Sequence, residues 1–161
     1  MKVSVIMGSD SDFPIIKATV ELLKQFGIDT EVNVASAHRT PEKVRELAQG
    51  APKRGVGVFI VAAGAAAHLA GVVASYTTLP VIGVPINATP LNGMDALLST
   101  VQMPSGIPVA TMAVNGAKNA AVFAAEIFAL GNDEIKEKLA AYREKMKSDV
   151  EKKSERVNAQ L

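Results

Sequence analysis

The feature that most constrains the fold is an alternation that runs along the whole chain. Apolar runs of strand length are followed, one after another, by stretches in which apolar residues recur at helical spacing. This alternation is typical of parallel βαβ construction, in which strands are buried on both faces and helices cross back over the sheet. The pattern repeats five times, and 161 residues are the size of one domain. The sequence therefore predicts an α/β domain with a five-stranded parallel sheet.

The boundaries of the predicted elements follow from the apolar runs and the residues that flank them. Strands are predicted at residues 3–7, 30–35, 56–62, 81–84 and 109–114. Helices are predicted at residues 12–26, from 41 onward, and at 69–76, 92–101 and 117–130. Thr40 is the candidate N-cap of the second helix, because a threonine hydroxyl can accept from the free amides of a first turn.

The last part of the chain differs in composition from the rest. Residues 133–156 are rich in charge, yet they carry one apolar stripe at helical spacing, which consists of Ile135, Leu139, Tyr142, Met146, Val150 and Val157. We expect a single domain with an α/β core over residues 1–131 and an extended helix over 132–157. The stripe could lie on its own core, but a five-stranded sheet already has helices for both faces. The sequence therefore favours packing on a neighbouring subunit.

Charge and cysteine content exclude several classes of function. Seventeen basic residues against sixteen acidic ones give a formal charge of +1, so neither nucleic acid nor a membrane surface is an expected partner. The absence of cysteine excludes disulfides and thiolate chemistry and, with an N-terminal apolar run too short for a signal peptide, predicts a cytoplasmic protein. Residues 58–74 approach a membrane span in length, but their glycines and His68 favour a buried strand, a turn and a packed helix.

The loops beyond the carboxyl ends of the strands are the candidate site, because open parallel sheets bind ligands there. In the first loop, Gly8 permits positive φ and close backbone approach, and the hydroxyls of Ser9 and Ser11 lie beside the free amides of a helix, which suits a phosphate. Asp10 and Asp12 would repel a phosphate, and such an aspartate commonly accepts from ribose hydroxyls. A plain capped turn, with Ser11 or Asp12 as N-cap, explains the same residues.

The second loop, residues 36–39, places a histidine next to an arginine. The guanidinium of Arg39 is a planar fork suited to phosphate, and the imidazole of His38 can exchange protons near neutral pH. The alternatives are a histidine bonded to a backbone carbonyl and an arginine in a surface ion pair.

The third loop, residues 64–68, consists of small residues followed by His68. The missing side chains would let a ring-shaped ligand lie against the backbone, although a hydrogen-bonded structural histidine is an equal alternative. No metal is expected, because the chain has two histidines and lacks HExxH and cysteine patterns. Dinucleotides and nucleoside triphosphates are disfavoured by the absence of GxGxxG and Walker A motifs.

Several motifs, in the same order, resemble those of one family. Residues 7–12 (Met-Gly-Ser-Asp-Ser-Asp), 36–41 (Ser-Ala-His-Arg-Thr-Pro) and 102–104 (Gln-Met-Pro) are similar to the N5-carboxyaminoimidazole ribonucleotide mutase family. The likeness covers nearly the whole chain. It implies a flavodoxin-like three-layer α/β/α fold, a reaction of purine (IMP) synthesis, a homo-octamer with sites near subunit contacts, and no metal or organic cofactor.

The resemblance also implies a role for individual residues. Ser9 and Arg39, helped by Ser36, would hold the 5′-phosphate of a ribonucleotide monophosphate, Asp12 would bind the ribose hydroxyls, and His38 would carry the proton. The other candidate substrate-binding residues are Gly8, Ser11, Gly64 and His68. In the family's reaction, the carboxylate on the exocyclic nitrogen leaves as CO2 and is rejoined to C4 of the imidazole ring.

Two differences bear on which branch of the family the chain resembles. A second branch carboxylates the aminoimidazole ribonucleotide directly and has lysine after the histidine and Arg-Ser-Asn in the third loop; Arg39 and the alanines of this chain fit the mutase branch better.

Ala65 stands where the mutase pattern has glycine, and Ala70 where it has proline. Neither change removes a proton-carrying group. The two alanines are therefore expected to alter the turnover rate or the mobility of the pocket more than the type of reaction. Direct carboxylation and a noncatalytic nucleotide-binding module are the alternative functions.

Overall fold

The fold is built on a sheet of five parallel strands. The computed structural model describes residues 1–160, and its strands are β1 (Lys2–Met7), β2 (Asp29–Val34), β3 (Val56–Gly64), β4 (Val81–Ile86) and β5 (Ala110–Thr111). They lie in the order β2-β1-β3-β4-β5, and every neighbouring pair is parallel. This is the strand order of flavodoxin-like folds, and it confirms the predicted fold class.

Helices cover both faces of the sheet. They are α1 (Phe13–Gln25), α2 (Pro41–Gln49), α3 (Leu69–Ser75), α4 (Met94–Val101), α5 (Ala117–Ala129) and α6 (Asp133–Asn158). One face packs against α1, α5 and the first part of α6, and the other packs against α2 and α3. The result is the predicted three-layer arrangement, with one apolar core on each side of the sheet.

Alternation of side chains along the central strands feeds these two cores. In β3, Val58 and Ile60 point to the α1 and α5 side, while Phe59 and Val61 point to the α2 and α3 side, and all four are buried. A strand buried on both faces has no polar side, which is why these strands appear in the sequence as continuous apolar runs.

Two of the predicted strands have different lengths in the structure. The fourth strand continues through Pro85 to Ile86, where it stays paired with β3. On its other side β5 is paired only as far as Thr111, opposite Gly83, and the Pro85 carbonyl oxygen accepts from the Asn115 amide at 2.8 Å. The fifth was predicted over residues 109–114 but contains only Ala110–Thr111. After it, single backbone hydrogen bonds from Met112 to Gly83 and from Asn115 to Pro85 still join the chain to β4, and Asn115 has a φ of +59°.

The long helix α6 is divided into a packed half and an exposed half. Ile135 and Leu139 are buried in the core, and the ring of Tyr142 meets that of Phe26 edge-on at 5.5 Å between centroids. This half of the stripe lies on its own domain, which the sequence had not favoured. Further along, the side chains of the stripe are 51–63% exposed, and they are Met146, Val150 and Val157.

No helix within residues 1–160 combines the length and the hydropathy that crossing a membrane would need.

Candidate active site

A cleft of about 380 Å³ opens above the carboxyl ends of β1 and β3. Strand order reverses here, because β1 leads to β2 on one side and β3 leads to β4 on the other. The structure brings the three predicted loops together around this cleft. Its lining residues are Gly8, Ser9, Ser11, Asp12, Ser36, Ala37, His38, Arg39, Ala63, Gly64, Ala65, Ala66, Leu69 and Ala88. All the predicted site residues are among them except His68, which lies behind the lining and contacts the lining residue His38.

The first loop is a single 3₁₀ turn organised around Ser9. Its hydroxyl accepts from the Ser11 amide at 3.3 Å and from the Ser11 hydroxyl at 2.8 Å, and it donates to Asp10 Oδ1 at 3.2 Å. The Ser9 amide in turn donates to Asp12 Oδ2 at 3.2 Å, which completes a capping box. The turn is therefore capped, but by Ser9 and not by Ser11 or Asp12. The same bonds hold hydroxyls and amides at the mouth of the cleft.

Asp12 is the one charged residue of the loops that is buried. Its side chain is only 4% exposed, and this burial raises the pKa of its carboxyl above the ordinary value of 3.8, although the bond from the Ser9 amide lowers the pKa in part. A buried carboxylate that lines a cleft is a strong hydrogen-bond acceptor, because little water competes for it. It is suited to receive hydroxyl groups of a ligand and unsuited to a phosphate.

The backbone at Gly8 differs from the expectation. Its φ is not positive, and a Cβ built there would meet its nearest atoms at 3.9 Å, which is ordinary van der Waals contact. The surrounding protein therefore does not require glycine at this position. The space that a side chain would take belongs to the rim of the cleft.

The second loop carries the positive charge of the site. Arg39 Nε donates to Ser36 Oγ at 3.5 Å, and Nη2 donates to the carbonyl oxygen of Gly8 at 3.3 Å, so that the guanidinium spans the first two loops. Both contacts are long for charged hydrogen bonds, and the side chain is exposed. The guanidinium can exchange them for the oxygens of an anion with little loss, beside the amides and hydroxyls around Ser9.

The two histidines lie against each other at the edge of the cleft. His38 Nε2 is 2.9 Å from His68 Nδ1, and the rings are nearly perpendicular. One nitrogen must donate and the other accept, so the two rings share a proton between them. Among the described residues, no cluster of three or more metal-binding side chains accompanies the pair. The arrangement therefore joins His68 to the proton chemistry open to His38.

The third wall is apolar and tightly built. A Cβ added at Gly64 would lie 2.6 Å from Ala88 Cβ and 3.2 Å from the Ile86 carbonyl oxygen, so glycine is required where β3 and β4 end side by side. The next residue, Ala65, has φ of +53°, a conformation that favours glycine, and its methyl lines the cleft. Ala70, which stands where the family pattern has proline, is buried in the first turn of α3, so this helix forms without that proline.

Two residues near the site were missed or misassigned from the sequence. Ala88 was missed because the fourth strand was predicted to end at residue 84, which left the following loop out of consideration. Thr40 occupies the N-cap position of α2, as predicted, but its side chain makes no bond to the helix amides and binds Ser36 instead. The spacing of Ser36 and Thr40, four residues apart across a predicted turn, could have indicated this contact.

Comparison with known proteins extends over the same residues. Residues 2–149 match the AIR carboxylase family. The N5-carboxyaminoimidazole ribonucleotide mutase of Thermotoga maritima is 53% identical over 156 residues, which are 97% of this chain and 91% of that protein. The mutase of Saccharolobus solfataricus is 56% identical over 149 residues, covering 92% and 94%. The crystal structure of Treponema denticola PurE matches with a TM-score of 0.85 at 30% identity, covering 96% of this chain and 97% of that one.

Proposed function

The chain belongs to the AIR carboxylase family, and on that premise we propose that it converts N5-carboxyaminoimidazole ribonucleotide to 4-carboxy-5-aminoimidazole ribonucleotide in purine synthesis. The enzyme is an isomerase, since one carboxyl group moves within the substrate and no atom is gained or lost. Relatives that carry this name are more than half identical over nine tenths of both chains. One observation in the structure carries the proposal: the imidazole of His38 and the guanidinium of Arg39 flank one cleft, opposite Ser9.

Binding of the ribose phosphate is assigned to the polar loops. The phosphate is held by the Arg39 guanidinium, the Ser9 hydroxyl and the Ser36 hydroxyl, since Arg39 already bonds to Ser36 and to the carbonyl oxygen of Gly8, the residue before Ser9. Asp12 accepts from the ribose hydroxyls, because it is the buried carboxylate at the floor of the first loop. In this arrangement the negatively charged phosphate faces the Arg39 guanidinium, and the neutral ribose hydroxyls face the Asp12 carboxylate.

Proton transfer is assigned to His38. In the first half of the reaction, the bond between the exocyclic nitrogen and the carboxylate carbon breaks, CO2 leaves, and His38 donates a proton to that nitrogen. In the second half, C4 of the ring attacks the carbon of CO2, and His38 takes the proton that C4 gives up. One histidine then serves as acid and base in turn, and the proton balance closes without a cofactor.

The remaining wall is suited to keeping CO2 beside the ring. Its residues have small or apolar side chains, which exclude water without binding CO2 strongly, and they are Ala63, Gly64, Ala65, Ala66, Leu69 and Ala88. Released CO2 that stays in the cleft reacts at a high effective concentration, whereas CO2 lost to solvent does not.

His68 is the partner that supports His38 in this scheme. Its Nδ1 lies 2.9 Å from His38 Nε2, so it can hold the imidazole in one orientation and accept or return the shared proton between the two half-reactions. The family pattern makes His68 a candidate for substrate binding. Its contact with His38 supports a different role, in which His68 acts through the His38 ring.

Assembly as a homo-octamer is supported by apolar surface that the single chain leaves uncovered. Side chains along α4 are 45–63% exposed, namely Leu91 just before it, Met94, Leu98 and Val101, and the distal half of α6 is exposed in the same way. Exposed apolar side chains of this extent favour contacts with further copies. The absence of cysteine supports a cytoplasmic location.

The direct test supplies the N5-carboxylated ribonucleotide without ATP or added bicarbonate and follows formation of the C4 carboxylate by ultraviolet absorbance. We expect rapid conversion that requires no other reactant. Conversion only from the uncarboxylated ribonucleotide at high bicarbonate would assign the chain to the direct carboxylases. Tight binding of both nucleotides without any conversion would make it a binding module.

A further inference from the structure

Thr40 closes the turn between β2 and α2 with its side chain and its backbone. The Ser36 amide donates to Thr40 Oγ1 at 2.9 Å, and this hydroxyl donates to the Ser36 carbonyl oxygen at 3.2 Å. The Thr40 amide donates to the same carbonyl at 2.9 Å. Thr40 therefore binds both backbone polar groups of Ser36, and the residues between the two are enclosed by these bonds.

Packing holds one of the residues inside this turn, Ala37, which lies partly buried against the core on the α2 and α3 side. His38, Arg39 and Thr40 are all exposed, so burial of apolar surface does not fix their positions. The Arg39 amide is bonded to Ser36 Oγ at 3.2 Å, which again leads back to Ser36. Where packing is absent, hydrogen bonds across the turn decide where its side chains point.

The Thr40 hydroxyl is used for this turn instead of for the helix that follows. Thr40 occupies the N-cap position of α2, where a threonine side chain usually accepts from a helix amide and stabilises the helix. Here that bond is not made. Thr40 is also not among the residues that line the cleft.

We infer that Thr40 is a positioning residue for the reaction, whose hydroxyl fixes the turn so that His38 lies against His68 and Arg39 lies across the first loop. This inference rests on the proposed function, because it assigns Thr40 to the same site. The two side chains that depend on it are the proton carrier and the cation for the phosphate.

Replacing Thr40 by valine tests the role, because valine keeps the branched shape and removes the hydroxyl. We expect Thr40→Val to lower kcat by about tenfold to a hundredfold, the usual effect of slight misplacement of a catalytic group, with a smaller rise in KM. Thr40→Ser restores the hydroxyl and should recover kcat close to that of the wild type. A residue that only stabilises the fold would lower the melting temperature and leave kcat per folded enzyme unchanged, so thermal unfolding is measured on all three proteins.

A second readout does not depend on activity. The chain has two histidines, and a His68→Asn protein assigns their ring signals in nuclear magnetic resonance spectra. We expect the His38 ring signals to shift or broaden in Thr40→Val and to return in Thr40→Ser. Wild-type kcat together with unchanged ring signals in a folded Thr40→Val protein would overturn the inference, as would failure of Thr40→Ser to recover either. Should Thr40→Val not fold, Thr40→Ala takes its place with the same two expectations.

A wild-type protein that does not convert the substrate overturns the proposed function instead. The ring signals of the Thr40 variants then still show whether this hydroxyl fixes His38, so the two failures are distinguishable.

Discussion

The first two loops of the cleft follow neighbouring strands and end at the same edge of the sheet, yet they are built differently. In the loop after β1, the charged residue Asp12 is buried and bonded to the backbone. In the loop after β2, His38 and Arg39 are exposed, and their positions depend on hydrogen bonds between Ser36 and Thr40. Hydrogen bonds to a serine hold both loops, but the first loop buries the carboxylate of Asp12, whereas the second leaves the side chains of His38 and Arg39 exposed.

This difference gives the two loops different parts in the site: the first loop shapes the cleft, and the second carries its positive charge. The first loop forms a recess of hydroxyl, amide and carboxylate groups, which the capping box between Ser9 and Asp12 holds to the backbone of the turn. In the proposed mechanism, the second loop supplies the cation and the proton carrier, which must make and break contacts with a substrate during turnover. Changes in the second loop should therefore affect rate and binding most, and changes in the first loop or the wall should affect stability as well.

The largest effect is expected from His38→Asn, which removes the proton carrier from the second loop. We expect kcat to fall by at least about a hundredfold, the usual contribution of general acid and base catalysis, with nucleotide binding retained. Steady-state kinetics and calorimetric titration with the substrate check the two parts. Near-normal turnover would remove His38 from its assigned role.

Arg39→Ala tests whether the second loop supplies the charge for binding. We expect KM to rise by about tenfold to a hundredfold and kcat to change less, because charge-assisted hydrogen bonds to phosphate are lost. Arg45→Ala, an exposed arginine on α2 outside the cleft, is the matched control and should leave KM unchanged. Equal effects of the two substitutions would argue for a general influence of charge.

Two glycine substitutions compare the first loop with the wall. Gly64→Ala should reduce the free energy of unfolding by about 1–3 kcal/mol, because its methyl would lie 2.6 Å from Ala88 Cβ. Gly8→Ala should leave stability nearly unchanged, because its methyl would meet nothing closer than 3.9 Å, and should weaken substrate binding at the rim. Urea unfolding and KM separate the two; a stability loss at Gly8 as large as that at Gly64 would contradict this account.

The smallest effect concerns the buried charge of Asp12. Because the pKa of its carboxyl is raised in the folded state, folding favours the protonated form, and that contribution to stability is lost as pH rises above 3.8 through the folded pKa. Asp12→Asn should therefore be more stable than the wild type at neutral pH, with a difference that disappears in acid. It should also bind substrate more weakly.

Urea unfolding at several pH values measures this difference. A wild-type protein whose advantage over Asp12→Asn grows with pH would show that the sign is wrong.

Much of the fold could be predicted because burial on both faces of a parallel sheet leaves a direct pattern in the residues. Continuous apolar runs marked β1 and β3, and the glycine and proline residues near α1 marked its ends. The errors lie at the edge of the sheet, where β4 passes through Pro85 and β5 has two residues. Strand ends depend on whether a neighbour supplies hydrogen bonds there, and no local pattern encodes this.

The site was predictable to the level of its loops. Residue types at strand ends indicated a phosphate, a proton carrier and a ribose-binding carboxylate, and the family resemblance gave the reaction. The partners of these residues were not predictable: the contact of His38 with His68 joins residues 30 positions apart, and the bond from Arg39 to Gly8 joins residues 31 apart. The use of the Thr40 hydroxyl for the turn instead of the helix was likewise decided by geometry.

The sequence by itself therefore determined the α/β construction, the loops in which chemistry lies, and the family. These properties are carried by residue type and local spacing, which folding does not change. Only the tertiary structure decided that Asp12 is buried, that Gly64 is required by Ala88 while Gly8 is not, and that the first half of α6 lies on its own domain. Each of these depends on which distant atoms come within a few ångströms, and that distance is set by the packing of the whole chain.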